Sequence, residues 1–291
     1  MDIAGSLHDF IKTMPSLPTS VNKILEVCND PNTSPADLNH VVSLDPILVG
    51  RVLKLVNSAY FRAGQPVTSL ARAMVMLGMN TVKNLALSTA IIGFYQANYR
   101  TDKSKDPSLS IEGLWRHSLC VGIAAKLLAR IRGIDVMHAE EYFAAGLLHD
   151  LGKVALNGVL AKNYLRCIVM ADREGKALHE AEEGLIKWTH SRAGALIVDA
   201  WSLHGPVGDV IIHHHDYADY SGEYRELLYT VAVANYYSTS SRIGFSGNRH
   251  PQALPPLVWE TLGIDQDQVF EDIDGQVHDE IEEAELFLRV G

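Results

Sequence analysis

The sequence predicts an all-α fold, and three observations support this prediction. Apolar residues recur three and four positions apart along most of the chain, as they do on the buried face of a helix. A small polar residue followed by proline marks a helix start, as in Ser34-Pro35. Nothing in residues 1–100 has the apolar-polar alternation that is typical of a half-buried strand. With 47% hydrophobic residues among 291, the chain can bury one large core or two modest ones.

Residues 1–100 are expected to form an N-terminal lobe of short helices joined by turns. Thr19 or Ser20 can cap one helix, and Ser34 with Asp37 forms a weak capping box for the next. Further helices are expected to begin near Asp45, Ser69 and Thr81.

The polar segment 101–110 is the predicted hinge between two helical halves. Residues 111–243 should form a helical bundle, and residues 244–291 a helical extension that ends in an acidic helix over Asp279–Leu288. The helices expected in the bundle are Leu114–Ile131, Ala139–Leu148, Ala193–Trp201, Val207–Ile212 and Leu227–Tyr237. The glutamates Glu180, Glu182 and Glu183 are interpreted as a solvated face.

The adjacent pair His149 and Asp150 is the most informative short stretch of the chain. It follows an alanine-rich helical run, and Gly152 is expected to let the chain leave that helix. Neighbouring side chains point about 100° apart within a helix, but at a helix end both can turn towards one ion. Imidazole nitrogen with carboxylate oxygen suits a first-row transition metal. On these residues alone, a solvated surface pair remains the alternative.

Other histidines can complete such a site. His117 lies on the apolar stripe of its helix, where a core histidine bonded to a backbone carbonyl is the alternative. His190 precedes a run of small residues. Of the three consecutive histidines 213–215, only two can face one point, and only at a helix end.

Composition and charge narrow the function classes. The formal net charge of −10 argues against nucleic acid or an anionic membrane as the main partner, because both favour a basic surface. Three widely spaced cysteines predict reduced thiols rather than disulfides. The N-terminus has no signal-peptide pattern, and no apolar run is long enough to span a membrane, so a cytoplasmic protein is expected.

Six short motifs in order resemble the bacterial HDOD domain, a helical signalling module related to the HD-superfamily metal phosphohydrolases. The resemblance runs from about residue 12 to about residue 240 and implies a two-lobed helical architecture whose second lobe is an HD-type bundle. The motifs are Leu17-Pro18, Asp30-Pro31, Asp45-Pro46, Asn57-Ser58-Ala59-Tyr60, Ser69-Leu70-Ala71-Arg72-Ala73 and Leu77-Gly78.

The resemblance implies a metal pocket and selects its ligands. It places His214 and His215 at the paired-histidine positions and leaves His213 outside. Such a nitrogen-rich set suits one or two ions of iron, manganese, zinc or nickel better than magnesium or calcium. The implied metal residues are His117, His149, Asp150, His190, His214, His215 and Asn235.

Three departures from catalytic relatives bear on function. Asn235 stands where those enzymes have an aspartate, and Gly113 where cyclic di-GMP phosphodiesterases of the HD-GYP type have a glutamate. The segment 219–224 only partly matches the loop that names those enzymes, so cyclic di-GMP hydrolysis is not expected.

Two hypotheses remain. The first is a non-catalytic or weakly catalytic signalling scaffold that keeps the metal pocket and acts on a protein partner. The second is a metal-dependent phosphohydrolase acting on a nucleotide or phosphodiester, with Asp150 and Lys153 as catalytic residues. A cation near a helix C-terminus is the alternative interpretation of Lys153. A homo-oligomer and a longer regulator with a receiver domain both stay open.

Overall fold

The described part of the structure, a computed structural model, consists of helices joined by turns and loops. That part comprises residues 2–13, 34–43, 67–69, 71–73 and 109–289 without 202 and 218, and positions 23, 27, 49, 50 and 53. It contains no strand, which confirms the all-α prediction, and no helix in it is long and apolar enough to cross a membrane. The helices are α1 (Ile3–Thr13), α2 (Pro35–Ser43), α3 (Ile111–Ile131), α4 (Val136–Leu148), α5 (Leu151–Glu174), α6 (Leu178–Ile186), α7 (His190–Trp201), α8 (Pro206–His213), α9 (Arg225–Ser240), α10 (Pro256–Leu262) and α11 (Gln266–Arg289).

Two predicted caps of the N-terminal lobe lie within the described residues and are confirmed. Ser34 Oγ accepts the backbone N–H of Asp37 at 3.3 Å, and Asp37 Oδ2 accepts the backbone N–H of Ser34 at 3.0 Å, so the capping box closes at α2. Ser69 Oγ accepts the backbone N–H of Arg72 at 3.3 Å. Of the helices predicted from residues 19 and 45, the structure describes only positions 23, 27, 49, 50 and 53, all of which are helical. The helix predicted from residue 81, the hinge residues 101–108 and the motifs at 17–18, 30–31, 45–46, 57–60 and 77–78 lie outside the described residues.

Helix α3 is the centre of the bundle and packs against α4, α9 and α11. It begins three residues earlier than predicted, because Ser110 Oγ accepts the backbone N–H of Gly113 and caps its first turn. The predicted stripe is buried: His117 with Leu114, Val121, Ala124 and Leu128. Cys120 and Cys167 are buried free thiols, as predicted, whereas Cys28 lies outside the described residues.

Helix α11 is longer than the predicted acidic helix. It starts at Gln266 and buries Val269, Ile273, Val277 and Ile281, which recur at the helical period and face α3. Ile281, which lies in the segment predicted as an acidic helix, is buried. Residues 283–289 belong to the helix, but their side chains lie outside the described part of the structure.

Gly152 does not end a helix, which corrects the sequence prediction. The backbone turns at His149 and Asp150, and α5 begins at Leu151, so Gly152 lies in its first turn. The residue is needed because α5 and α7 cross closely there. A Cβ atom at Gly152 would lie 1.9 Å from the carbonyl oxygen of His190 and 2.6 Å from the backbone nitrogen of Gly194. This crossing brings the start of α7 next to Asp150.

The close crossing predicts a large effect of Gly152→Ala. Because the added methyl group would overlap backbone atoms that cannot rotate away, we expect a loss of about 2–3 kcal/mol in the free energy of unfolding. Gly275→Ala in α11 is the matched control, since a Cβ atom there meets nothing within 4 Å. That control should keep or raise stability by up to about 1 kcal/mol. Urea unfolding of the metal-free variants measures the free energy of unfolding of both. Equal changes in the two variants would contradict the close contact between α5 and α7 at Gly152.

Candidate metal centre

Five histidines and one aspartate from separate parts of the bundle converge on one buried pocket. His149 and Asp150 form the junction between α4 and α5, where the chain leaves one helix before entering the next. His190 is the first residue of α7, and His214 and His215 directly follow α8. His117 comes from the middle of α3. All except His117 therefore lie at helix ends, where neighbouring side chains can turn towards one point.

Asp150 stands between two groups of histidines. Its Oδ2 lies 3.2 Å from His149 Nε2 and 3.7 Å from His117 Nε2. Its Oδ1 lies 3.4 Å from His190 Nε2 and 3.7 Å from His214 Nε2. One carboxylate thus faces both groups, which is the arrangement of a bridging ligand.

The histidines on the Oδ1 side of Asp150 are His190, His214 and His215, and they too are tightly clustered. His190 Nε2 lies 3.1 Å from His214 Nε2 and 2.9 Å from His215 Nε2. Ligand atoms around a tetrahedral zinc ion are about 3.3 Å apart, given metal–nitrogen bonds of about 2.0 Å. The residues form two sets of three, and within each set the ligand atoms lie within 4.8 Å of one another. One set is His117, His149 and Asp150, and the other is His190, His214 and His215.

The hydrogen bonds on the far side of the rings fix the orientation of four imidazoles. His149 Nδ1 faces the carbonyl of Gly146 at 2.7 Å, and His214 Nδ1 faces that of Val210 at 3.0 Å. A carbonyl only accepts, so each Nδ1 carries the proton and each Nε2 presents a lone pair to the pocket.

The positions of the ring protons of His190 and His117 follow in the same way. His190 Nδ1 donates to Glu182 Oε2 at 2.7 Å. His117 Nδ1 lies 3.1 Å from Ser238 Oγ, whose own proton goes to the carbonyl of Ile243 at 3.2 Å. Both therefore also present Nε2 lone pairs to the pocket.

Lone pairs and a carboxylate that face one another repel unless a cation lies between them. The Nε2 atoms of His117 and His149 and the Oδ1 atom of Asp150 are buried and make no hydrogen bond within the described structure, whereas Asp150 Oδ2 forms an ion pair with Lys153. Such unpaired buried acceptors are costly and rare in proteins. The residues present therefore fit a bound transition metal, and imidazole nitrogen is the donor that iron, manganese, zinc and nickel accept.

Burial keeps three of the imidazoles, His117, His214 and His215, in the neutral form that binds metal. It lowers the pKa of His117 to about 3, against the opposing effect of the Asp150 charge. Burial also lowers the pKa of His214 and of His215 well below the ordinary value, and neighbouring histidines add to this shift. Burial alone would raise the pKa of Asp150, but His149 and Lys153 outweigh it and hold that pKa well below its usual range.

Lys153 is buried beside the pocket and has two partners. Its Nζ lies 2.7 Å from Asp150 Oδ2 and donates to the carbonyl of Ser246 at 3.0 Å. It lies in the first turn of α5, so the alternative of a cation near a helix C-terminus is wrong.

The loop that carries Ser246 closes one side of the pocket. Gly244 has φ +74°, and a Cβ atom there would lie 2.3 Å from the backbone nitrogen of His117. The backbone N–H of Phe245 donates to the carbonyl of Gly113 at 2.8 Å. A glutamate at position 113 would have to displace this loop, because a Cβ atom there already lies 3.3 Å from Phe245.

Asn235 and His213 differ in their relation to the pocket. Asn235 lines the same cavity as His214 and His215. His213 lies instead beside Tyr220, with ring centroids 5.4 Å apart.

Glu182 is a functional candidate that the sequence analysis missed. It is fully buried, so its interpretation as part of a solvated face is wrong, whereas Glu183 is 47% exposed. Its position four residues after Leu178 is the signal that could have found it, since positions four apart share a helix face. His179 was also missed; its ring stacks on His215 with centroids 4.0 Å apart.

Comparisons with known proteins agree with this architecture. The sequence model of the HDOD domain matches residues 14–217. A protein of Treponema pallidum (strain Nichols), named only as uncharacterized, is 28% identical over 233 residues, which are 80% of this chain and 44% of that protein. The chain thus spans less than half the length of this relative.

Solved structures share the fold over nearly the whole chain. An HDOD domain protein of unknown function from Geobacter sulfurreducens is similar with a TM-score of 0.73 and 25% identity, over 96% of this chain and 95% of that one. A candidate signal transduction protein from Marinobacter aquaeolei VT8 has a TM-score of 0.71 at 21% identity, over 98% of this chain and 64% of that one.

A candidate phosphohydrolase from Shewanella amazonensis SB2B has a TM-score of 0.68 at 22% identity, over 96% of this chain and 97% of that one. These last two similarities concern the fold alone. The family match covers more than half of the sequence, and the motifs in residues 17–78 had indicated the same family. The chain belongs to the HDOD domain family.

Proposed function

We propose that this chain is a signalling module whose HD-type bundle holds a transition metal and passes the state of that pocket to a protein partner. The observation that carries the proposal is Asp150, which lies between two sets of buried Nε2 lone pairs and whose Oδ1 has no hydrogen-bond partner in the described structure. His117, His149, His190, His214 and His215 would hold the metal together with Asp150. A bound transition metal supplies the positive charge that these acceptors lack.

The packing of α1 supports a signalling role. Helix α1 packs on α5 and α7, the two helices that carry Lys153 and His190. The ring of Phe10 fills the space beside Gly158, two residues before α5 departs from helical geometry at Leu160. A change in the pocket that shifts either helix would therefore also move α1.

The size of the cavity argues against a nucleotide substrate. A cavity of about 90 Å³ opens over His214, His215 and Asn235. Pockets that bind molecules of nucleotide size usually measure about 300–1,000 Å³. Among the described residues, the side chains that line the cavity include histidines but no arginine or lysine that could bind phosphate.

The partners of Lys153 and the neutral side chain of Asn235 also favour the non-catalytic proposal. Lys153 is held by Asp150 and by the carbonyl of Ser246, so it would have to leave a partner to contact a substrate. Asn235 offers a neutral amide oxygen, which is a weaker metal ligand than a carboxylate.

A metal-dependent phosphohydrolase is the second candidate, because the buried ligand set and Lys153 lie together. A bound metal would polarise a phosphoryl oxygen, Asp150 would hold Lys153 in place, and the Lys153 ammonium would stabilise negative charge on the phosphate. The cavity would have to open for this activity.

Metal analysis with activity assays separates the two candidates. Protein purified without chelators should retain about one equivalent or more of iron, manganese, zinc or nickel, and Asp150→Ala should lose most of it. Asp135→Ala, on an exposed aspartate, is the matched control and should keep the metal. Turnover of nitrophenyl phosphodiesters and nucleotides should not exceed that of His149→Ala. Turnover that His149→Ala abolishes would favour the hydrolase, and less than about a tenth of an equivalent of metal would contradict both candidates.

Amide hydrogen exchange tests the proposed path to α1. Because α1 rests on α5 and α7, loading metal-free protein with manganese should slow exchange in residues 3–13 as well as around residues 149–153. The exposed helix α10 (Pro256–Leu262), which packs on α9, serves as an internal reference and should change less. Protection confined to the pocket would contradict transmission through α1.

Metal-free protein should lose stability as the pH falls from about 7 towards about 3. In this window the unfolded chain protonates histidines with a pKa near 6.5, while folded His117 stays neutral down to about 3. The unfolded state then binds more protons, so each such histidine lowers the free energy of unfolding by about 1.4 kcal/mol per pH unit.

His117→Gln should therefore flatten the pH dependence of the melting temperature. The matched control is His138→Asn, because Asp135 raises the pKa of exposed His138 through a hydrogen bond and its charge. His138 contributes stability below its unfolded pKa, so its removal should steepen the loss slightly. Equal slopes in the wild type and His117→Gln would contradict the buried neutral state.

A further inference from the structure

The two halves of the pocket have opposite charges behind their ligands. Glu182 lies behind His190, whereas Lys153 lies beside the oxygen of Asp150 that faces His117 and His149. A charge this close to a metal position changes its affinity strongly, because buried charges are little screened. The two candidate positions are therefore not equivalent.

Glu182 is a buried carboxylate whose hydrogen bonds orient His190. Its Oε2 accepts the ring Nδ1–H of His190 at 2.7 Å and the backbone N–H of the same residue at 2.8 Å. Its Oε1 accepts the hydroxyl of Tyr164 at 2.8 Å. These donors are neutral when His190 is neutral, so the carboxylate charge is not balanced by them.

The negative charge of Glu182 acts along the His190 ring towards the pocket. A carboxylate on the outer nitrogen of a ligating histidine fixes the ring orientation and makes the inner nitrogen a stronger donor. The position formed by His190, His214, His215 and Asp150 Oδ1 therefore attracts a cation.

Lys153 has the opposite effect on the other position. Its ammonium lies 2.7 Å from Asp150 Oδ2, and Asp150 Oδ2 is the oxygen that lies 3.2 Å from His149 Nε2. The lysine is buried and is also bound to the carbonyl of Ser246. A metal ion at His117 and His149 would share its carboxylate oxygen with this ammonium and be repelled by it.

We propose that the pocket fills in order. The first metal binds at His190, His214, His215 and Asp150 Oδ1, with Glu182 as the positioning residue. The second position, at His117, His149 and Asp150 Oδ2, fills only when Lys153 leaves Asp150. This inference rests on the proposed metal-binding function.

Ordered filling would couple the second metal to the loop around Ser246. When Lys153 leaves Asp150, its bond to the carbonyl of Ser246 has to rearrange as well. The same loop is held against α3 by Gly244 and Phe245. The second metal would thereby change the surface of the bundle, whereas the first would not.

Titration of metal-free protein with cobalt(II), followed by visible absorbance and calorimetry, tests the order. Wild type should bind in two phases. His117→Ala should keep the first phase and lose the second, and His214→Ala should lose the first. Glu182→Gln should weaken the first phase by about 10–100-fold and change its absorbance, since an amide accepts the His190 proton less strongly. Glu183→Gln, on the exposed neighbour, is the matched control and should behave as wild type.

Lys153→Met provides an independent arm that does not disturb Glu182. Removal of the ammonium should strengthen the second phase by about tenfold or more, because a unit charge at short range is lost. Lys176→Met, on an exposed lysine, is its control. The lysine arm and His117→Ala remain decisive if Glu182→Gln does not fold.

Several results would overturn the proposed order. It fails if His117→Ala abolishes the first phase, if folded Glu182→Gln binds like Glu183→Gln, or if Lys153→Met leaves the second phase unchanged. Absence of any cobalt binding by folded wild type would instead remove the metal-binding function itself. The two failures are thus distinguished in one experiment.

Discussion

The structure depends on one electrostatic constraint: acceptor atoms face acceptor atoms in a buried pocket. His149 and His214 must each carry their proton on the outer nitrogen, because a backbone carbonyl lies there. Their inner lone pairs then point at Asp150, which is itself a carboxylate. Lys153 offsets the charge at Asp150 Oδ2, whereas Oδ1 and the lone pairs that face it have no such partner in the described structure. A bound metal would relieve the remaining repulsion, and the metal-binding proposal rests on this argument.

The fold meets the constraint by using helix ends rather than helix faces. The backbone turns at Asp150 between α4 and α5, and His190 begins α7. Gly152 lets α5 and α7 approach until a Cβ atom would overlap the carbonyl of His190. The helix interiors supply the apolar core around these ends, and α3 contributes His117 from its buried stripe. A local turn and one close crossing thus position most of the site.

The sequence was informative where the signal was local or periodic. The cap at Ser34, the buried stripe around His117 and the turn at His149 could be predicted from spacing and helix geometry. Family resemblance, not spacing, selected His214 and His215 over His213. Gly152 was misinterpreted because a glycine after a helical run fits a helix end as well as a close crossing, and only the partner helix distinguishes them.

Glu182 shows a different limit of sequence analysis. A run of glutamates usually marks a solvated face, but the partners of Glu182 are Tyr164 and His190, which lie 18 and 8 residues away along the chain. Hydrogen bonds of this kind compensate for the burial of a charge and cannot be seen in one sequence. The charge of Lys153 beside Asp150 is likewise a property of the assembled pocket.

Anomalous scattering from crystals grown with one equivalent of a transition metal is the most direct test of the account. We expect one dominant anomalous peak about 2.0–2.3 Å from the Nε2 atoms of His190 and His214, and a weaker or absent peak at His117 and His149. A structure at full metal concentration with no anomalous peak near Asp150 would contradict the central claim.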